Sequence, residues 1–363
     1  MIGAVCERVN AIAADGRLPR VTGGIVIAVD YAPAAKVTLL LFGEDGTPCL
    51  AAKLARSGAA EPALEAEHTA LTGVWSLRPP STAAELPRPV ALERVAGRLM
   101  LLSTAVPGTP LSRRYHLPGH VRDPAMVAED FHVAGSWLSR FHDETRQGTA
   151  VLGPDAFDSW IRPVFRRYQA TVGWGDWERG LLDHLARQCA LLAGTRLPVV
   201  AVHGDYAPGN ILLDAGRVSG VVDWELGRTA GLPFSDLFKF AASYGSFLDR
   251  ASPPRRGAPP GHPGWAQARD RWGASPNWTN RTGILYAFFG SGWFPDLVRS
   301  FLLGQLTRLG APPAAVPLFL PVFLAEQVLA LDQPAYRTGY RELLRLLAEQ
   351  NAVGSLCSLE TVG

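Results

Sequence analysis

One stretch, from Val202 to Glu225, constrains this chain more than any other part of its sequence. It reads VHGDYAPGNILLDAGRVSGVVDWE, with short apolar runs on either side of a Gly/Pro-rich loop. Apolar runs of this length bounded by turn residues predict short strands. Asp205 and Asn210 are therefore expected at the two ends of one tight loop. Asp223 is expected at the close of the strand pair that follows, with Ala215-Gly216 at its turn.

The three polar side chains have the chemistry that nucleotide phosphotransfer requires. Such a reaction needs a cation on the phosphates and a carboxylate that orients the attacking hydroxyl and accepts its proton. Mg²⁺ prefers hard oxygen ligands and keeps several waters, so one carboxylate and one amide oxygen suffice. Asp223 and Asn210 are the candidate Mg²⁺ ligands, and Asp205 is the candidate catalytic base. His203 is expected to be structural, bridging to the backbone near Asp223.

Three apolar segments upstream predict an antiparallel meander. They read GIVIAVDYA, AKVTLLLFG and CLAAKLAR, and Lys53 lies near the end of the third. Glu61 to Val74 follows with apolar residues at helical spacing, which places Glu65 and Glu67 in a helix directly after the Lys strand. A strand Lys followed by a helix Glu positions nucleotide phosphates in kinases, and it is also common on solvated surfaces.

Two further apolar segments, VALERVA and RLMLLSTAV, predict strands that end at Pro107-Gly108. The exit from the second strand, Ser103 to Gly108, is where a two-lobed nucleotide site has its hinge. The backbone around Thr104 and Val106 is therefore expected to bond the adenine. The remainder of the chain reads mainly as helices. The first is capped by Asp123-Pro124 and ends at His142, which is expected to be structural and stabilised by the helix dipole or by a carbonyl. Two further helical segments are predicted, from Phe157 to Thr171 and from Trp177 to Ala193.

The segments HGDYAPGN and VVDWE resemble the catalytic and metal loops of the aminoglycoside phosphotransferase and choline kinase-like superfamily. These proteins are small-molecule kinases with a protein-kinase-like fold. The matching positions are His203, Gly204, Asp205, Asn210, Asp223 and Glu225. Eukaryotic protein kinases usually have Arg in place of Gly204 and a DFG motif in place of Asp223-Trp224-Glu225, so the small-molecule branch is favoured.

The resemblance implies an α+β, two-lobed fold. A small N-terminal lobe with an antiparallel sheet is expected over residues 1–107 and binds the nucleotide. A larger, mainly helical lobe is expected over residues 108–363 and carries the catalytic residues and the acceptor site. The resemblance also makes Lys53 the phosphate-binding lysine and Glu67, rather than Glu65, its partner. It gives ATP, with GTP possible, as the phosphate donor and Mg²⁺ as the cofactor. Asp205 is the implied base and Asn210 and Asp223 the implied metal ligands, while Asp236 matches an Asp that is usually structural.

One segment departs from the family pattern. The loop between the first two predicted strands, Asp30 to Lys36, reads DYAPAAK and contains no glycine, whereas the family has a glycine-rich or Ser/Asn-containing phosphate loop. This departure keeps a second hypothesis open, a catalytically silent kinase-like binding module. A third hypothesis is a membrane-surface kinase that acts on a glycolipid-like acceptor.

The acceptor is expected to be a hydroxyl of a sugar, nucleoside, aminoglycoside or related natural product. After residue 250 arginines outnumber carboxylates, which favours a neutral or anionic acceptor over a polycationic antibiotic. The Trp-rich region 265–294 suits stacking on sugar or base rings. Between them, the SPPRRGAPPGHPG segment of residues 251–264 is predicted to be a mobile loop.

Composition excludes several other classes of protein. A net charge of +2 spread over 363 residues gives no basic stripe for a nucleic acid. The four scattered cysteines fit a reducing compartment, so a cytoplasmic location is expected. The longest uncharged run, Leu309 to Ala325, contains four prolines, which favours a buried helix over a membrane span. The oligomeric state is not indicated.

Overall fold

The computed structural model describes residues 1–13, 18–29, 35–79, 81–247, 270, 281–330 and 334–349. The chain divides into two compact units. The first is Met1–Leu111 with His203–Asp205 and Gly209–Thr229, and the second is Ser112–Val202 with Tyr206–Pro208 and Ala230–Gly363. An N-terminal antiparallel sheet and a mainly helical second unit confirm the predicted α+β fold class. The lobe boundary at residues 107 and 108 stays a prediction.

The first unit is built on a five-stranded antiparallel sheet. Its strands are β1 Gly23–Val29, β2 Lys36–Phe42, β3 Pro48–Ala55, β4 Pro89–Val95 and β5 Arg98–Thr104. They lie in the order β1-β2-β3-β5-β4. Along β2 the side chains of Val37, Leu39 and Leu41 are buried and alternate with half-exposed neighbours. This alternation with a period of two is the pattern that predicts strands from the sequence here.

Helix α1, Ile2–Ile12, covers one face of this sheet and was not predicted from the sequence. Val5 and Val9, one helical turn apart, are fully buried in the same cluster as the apolar side chains of β2. The side chain of Asn10 hydrogen-bonds both the N–H and the carbonyl of Val21, at 2.8 and 2.9 Å. The helix is therefore held by tertiary contacts, and its own apolar stripe is too short to predict a helix from the sequence.

Helix α2, Glu61–Ser76, lies against the opposite face of the sheet. Leu64 is buried in a cluster with Leu99 and Leu101 of β5. Lys53 pairs directly with Leu101 in the sheet, and directly paired residues of antiparallel strands share a face. The register thus places Lys53 on the side of the sheet that α2 covers.

A hairpin in the same unit follows the catalytic-loop sequence. It consists of β9, Ile211–Asp214, and β10, Arg217–Val221, and the short strand β6, Thr109–Pro110, pairs with the other edge of β9. Ala215 and Gly216 both have positive φ, 46° and 78°, as a two-residue turn of primed type requires. The predicted turn is confirmed.

The second unit is mainly helical. Its helices are α3 Pro124–Glu144, α4 Arg162–Val172, α5 Asp176–Leu191, α6 Phe234–Phe247, α7 Arg281–Phe289, α8 Trp293–Leu309, α9 Val316–Ala330 and α10 Pro334–Glu349. A small sheet has the order β11-β8-β7, formed by Gly148–Val151 as β7, Arg196–Val202 as β8 and Arg228–Gly231 as β11. Asp123 caps α3 by accepting hydrogen bonds from the N–H groups of Ala125 and Met126, as predicted.

Two details of this unit differ from expectation. A single helix was predicted from Phe157 to Thr171, but a π-helical turn, Phe157–Ile161, precedes α4. Pro163, in the first turn of α4, explains the break because it cannot donate a helical hydrogen bond to the preceding turn. His142 at the end of α3 was expected to contact a carbonyl or the helix dipole, but its Nε2 instead lies 3.3 Å from the buried carboxylate of Asp236.

Helix α9 occupies the long uncharged segment. By length and composition alone, Pro313–Ala330 is the one helix among the described residues that could cross a membrane, and 72% of it is buried inside the protein. Residues 316–325 are all buried, and α9 packs against α4, α6 and α10. The segment is therefore a core helix of this unit, with Pro321 inside it.

Several predicted features lie outside the described residues. They are the loop residues 30–34, the segment 251–264, and Trp265, Trp272 and Trp278 of the Trp-rich region. In the described part of that region, Tyr286, Phe288 and Phe294 are buried. These three rings belong to the core of the second unit.

We expect Leu39→Ala to lower the free energy of unfolding by about 2–5 kcal/mol, because Leu39 is fully buried between the sheet and α1. Ile25→Ala, on the exposed edge strand β1 of the same sheet, is the matched control and should change it by less than about 0.5 kcal/mol. Urea unfolding followed by circular dichroism measures both. Equal effects of the two substitutions would contradict the assigned core.

Candidate active site

The first contact of the site joins the sheet to α2. The Nζ atom of Lys53 lies 2.6 and 2.7 Å from the two carboxylate oxygens of Glu67. Glu67 is buried, whereas Glu65 is exposed, so the structure pairs Lys53 with the glutamate that the resemblance favoured. Burial by itself would lower the pKa of Lys53, but the nearby charges of Asp223 and Glu67 raise it above the ordinary value. The lysine is therefore a fixed cation.

Asp223 lies beside this pair. Its Oδ1 is 2.9 Å from the Nζ of Lys53 and 3.5 Å from the Nζ of Lys36. Its backbone is left-handed, with φ of +68°, a conformation that Asp tolerates better than most residues. Burial acts to raise the pKa of Asp223, but the two lysines lower it below the usual range. The side chain is ionised and 34% exposed, so a ligand can reach it.

Lys36 and Glu225 complete the cluster, and sequence reasoning assigned neither a role in the site. The Nζ of Lys36 forms a close ion pair with Oε2 of Glu225 in addition to its contact with Asp223. The register explains the placement: Thr38 pairs with Lys53, and Lys36 lies two residues before Thr38 on the same face of the sheet. The pairing of β2 with β3 is thus the signal that could have found Lys36.

His203 ties the loop to the segment that carries Asp223. Its Nε2 lies 2.9 Å from the carbonyl oxygen of Val222, and its Nδ1 accepts a hydrogen bond from the N–H of Asp205 at 3.2 Å. Because Nδ1 accepts, the ring proton lies on Nε2 and is donated to Val222. The ring also packs on Trp224, with centroids 4.5 Å apart. The predicted structural contact with backbone next to Asp223 is present.

Asn210 stands at the other end of the loop and contacts Asp205. Its Nδ2 donates to Oδ2 of Asp205 at 2.9 Å and to the carbonyl oxygen of Asp205 at 3.0 Å. These bonds use the amide nitrogen, so Oδ1 is the atom that Asn210 can offer to a cation. The N–H of Val222 donates to the carbonyl of Asn210 at 2.9 Å, which links the loop to the residue before Asp223.

Gly204 has a conformation and a position that exclude a side chain. Its φ is +78°, and a Cβ atom there would lie 2.3 Å from the carbonyl oxygen of Leu226. This backbone cannot accept the Arg that eukaryotic protein kinases usually have at the position.

The two predicted hinge residues differ in what their backbones offer. The N–H of Thr104 donates to the carbonyl of Arg88, and the Thr104 hydroxyl accepts from the N–H of Arg88 at 2.8 Å. Within the described residues the backbone N–H and carbonyl of Val106 make no hydrogen bond, and its side chain packs over Gly220 of β10. Adenine recognition stays a prediction, and Val106 is the better placed of the two to provide it.

The donor set suits Mg²⁺ carried in with a nucleotide. Asp223 offers an ionised, accessible carboxylate, and Asn210 offers an amide oxygen. In the described part of the chain, no three His, Cys, Asp or Glu side chains converge as a metal cage. Mg²⁺ usually binds through one or two carboxylates, substrate phosphates and water, so the residues present fit it without such a cage.

An antiparallel sheet that carries a Lys–Glu pair, next to an Asp/Asn loop and a second Asp, is the arrangement expected of a kinase-like phosphotransferase. Residues 40–271 match the model of the Phosphotransferase enzyme family, and the chain belongs to that family. No curated protein matches the sequence.

Solved structures with similarity to this chain include two antibiotic phosphotransferases. Macrolide 2'-phosphotransferase MphH from Brachybacterium faecium is 15% identical, with a TM-score of 0.42 over 93% of this chain and 97% of that one. Aminoglycoside phosphotransferase APH(3'')-Id from Streptomyces rimosus, in complex with ADP and streptomycin, is 18% identical, with a TM-score of 0.40 over 96% of this chain and 98% of that one. The family assignment rests on the match to the family model. The identities and TM-scores of these two structures do not assign an acceptor to this chain.

We expect Gly204→Ala to destabilise the protein by at least about 1–2 kcal/mol, because it forces a left-handed alanine against the carbonyl of Leu226. Gly209→Ala, in the same loop, is the matched control, because a Cβ there meets no atom within 4 Å and its φ is not in the left-handed region. Urea unfolding compares the two. Equal stability of the two variants would refute the assigned loop geometry.

We expect Lys53→Met to lower the free energy of unfolding by about 3–5 kcal/mol, because it leaves the buried Glu67 carboxylate without its partner. The double variant Lys53→Met/Glu67→Gln should recover most of this loss, since it removes the unpaired charge. A double-mutant cycle by urea unfolding measures the coupling. Additive effects of the two substitutions would mean that the pair does not carry the interaction.

Proposed function

We propose that the protein is a small-molecule kinase that transfers the γ-phosphate of ATP or GTP to a hydroxyl group of a small-molecule acceptor. The observation that supports this most is the contact of Lys53 with both Glu67 and Asp223 in a member of the phosphotransferase family. It gives one cation for the phosphates and, beside it, one accessible carboxylate for Mg²⁺.

In this proposal the nucleotide is held mainly by residues of the first unit. Lys53 binds the phosphates while Glu67 fixes its ammonium group, and the Val106 backbone bonds the adenine edge. Asp223 and Asn210 would hold Mg²⁺, which when bound neutralises charge on the phosphates. Burial opposes ionisation of Asp223, but the charges of Lys53 and Lys36 lower its pKa below the usual range and so favour the ionised form of this ligand.

Asp205 is the proposed catalytic base. The acceptor oxygen attacks the γ-phosphorus, its proton passes to the Asp205 carboxylate, and the nucleoside diphosphate leaves. The amide of Asn210 and the backbone contact to His203 hold Asp205 from two sides. This restraint supports a base with a fixed direction, which phosphoryl transfer requires more than unusual basicity.

The proposed acceptor is a sugar, nucleoside, aminoglycoside or related natural product, and the proposed location is the cytoplasm. A nucleotide-consumption screen against sugars, nucleosides, aminoglycosides and amino alcohols, run with ATP and with GTP, identifies acceptor and donor. Mg²⁺-dependent nucleotide binding without turnover on any acceptor would favour a silent binding module. Recovery of the protein in a membrane fraction would favour the membrane-surface kinase.

We expect Asp205→Asn to lower turnover on the identified acceptor by about 10²–10⁴-fold and to leave the dissociation constant of the Mg²⁺–nucleotide nearly unchanged. Asp223→Asn should instead abolish the Mg²⁺ dependence of nucleotide binding, because it removes the charged ligand. Isothermal titration and steady-state rates separate the two effects.

The matched control for both variants is Asp214→Asn, an exposed carboxylate of β9 in the same unit, which should change neither quantity. Near-normal turnover of the Asp205 variant would refute its role as base. No binding of Mg²⁺–ATP or Mg²⁺–GTP by the unmodified protein at millimolar concentration would refute the proposed function itself.

A further inference from the structure

Lys36 is the second cation of the site, and nothing in the proposed mechanism uses it. It is the first residue of β2, directly after the glycine-free loop sequence. Its Nζ contacts Asp223 and Glu225, and its side chain lies on the same face of the sheet as Lys53. The site therefore contains two lysines that share one carboxylate.

The two lysines differ in how firmly their partners hold them. Lys53 is anchored by Glu67, whose side chain is 3% exposed and cannot be replaced by solvent or ligand. The partners of Lys36 are open: the side chain of Asp223 is 34% exposed and that of Glu225 is 31% exposed. The Lys36 side chain is itself 18% exposed, so these pairs are part-buried, but water reaches both carboxylates and weakens their hold. Lys36 therefore exchanges partners at less cost than Lys53, whose partner Glu67 is shielded from water.

Occupation of the site would favour that exchange. Asp223 is the carboxylate that the proposed function gives to Mg²⁺, and a cation there would cancel much of the attraction between Asp223 and Lys36. A nucleotide brings several phosphate charges to the same face of the sheet. An ammonium group on a four-carbon stem can follow the stronger anion, and charge-assisted bonds to phosphate are among the stronger hydrogen bonds in proteins.

We propose that Lys36 is a phosphate-binding residue that supplies, from the first position of β2, a second positive charge beside Lys53 for the β- and γ-phosphates of the bound nucleotide. Glu225 is its positioning residue, holding the ammonium group beside Asp223 until the nucleotide arrives. The proposal rests on the proposed function. It assigns to a lysine side chain the anion contact that a glycine-rich loop makes with backbone N–H groups, and so accounts for a site whose loop sequence has no glycine.

The test is nucleotide binding by isothermal titration in Mg²⁺, with adenosine, AMP, ADP and a non-hydrolysable ATP analogue as probes. We expect Lys36→Met to weaken binding of ADP and the ATP analogue by about 10-fold or more, while adenosine affinity changes by less than about 3-fold. Lys36→Arg should retain most of the preference for di- and triphosphates. Arg20→Met, which removes an equal charge from an exposed pair with Glu44 in the same unit, is the matched control and should affect none of the probes.

The outcomes separate this inference from the proposed function. If the unmodified protein binds neither these probes nor their guanosine counterparts, both fail. If it binds them and Lys36→Met keeps the affinity for the ATP analogue, the role of Lys36 is wrong and the proposed function stands. If Lys36→Met weakens adenosine and the ATP analogue equally, Lys36 only maintains local structure and the proposal is also overturned. Thermal unfolding of each variant shows whether the fold is retained.

Discussion

The contact of the Lys53 ammonium group with two carboxylates organises the first unit. Glu67 comes from α2, 14 residues after Lys53, and Asp223 comes from the segment after β10, 170 residues after it, so one cation joins a strand and its following helix to a distant part of the chain. A buried ammonium group is costly unless it is paired. Glu67 and Asp223 therefore each stabilise the position of their own segment against β3. The same contacts give the cluster of charges that suits a nucleotide.

The polar residues of the loop depend on a second set of contacts, which are hydrogen bonds from neutral groups rather than ion pairs. His203 joins the N–H of Asp205 to the carbonyl of Val222, and Asn210 bonds Asp205 while its carbonyl accepts from Val222. Charged residues are thus held in position by neutral groups.

Much of this arrangement could be predicted from sequence, for identifiable physical reasons. The strands of the meander alternate cleanly, and the turn at Ala215-Gly216 needs residues that accept positive φ, so both are visible locally. Helix α1 is not visible in its local sequence, because its burial depends on a sheet whose strands follow it in the chain. Lys36 is not either, because its place in the site follows from the pairing of β2 with β3, and strand register is a property of two segments together.

The π-helical turn before α4 is also not predicted by apolar periodicity. The residue that indicates it is Pro163, in the first turn of α4. The partner of His142 is a long-range one, Asp236, which no local pattern of the α3 sequence indicates. Local sequence patterns therefore predict the helices, the strands and the polar residues of the loop. They do not predict the contacts between segments that are distant in sequence.

The sheet register described above has one more consequence, for fidelity of folding. Each residue of β3 faces either the apolar layer under α1 or the side of α2, and a shift of one residue would exchange the two sets. Lys53 would then lie among Val5 and Val9, where an ammonium group has no partner, and Leu54 would stand beside Glu67. A misaligned sheet is thereby disfavoured by the same charge that the proposed nucleotide site uses, so the charged cluster also favours the correct register of the sheet that carries it.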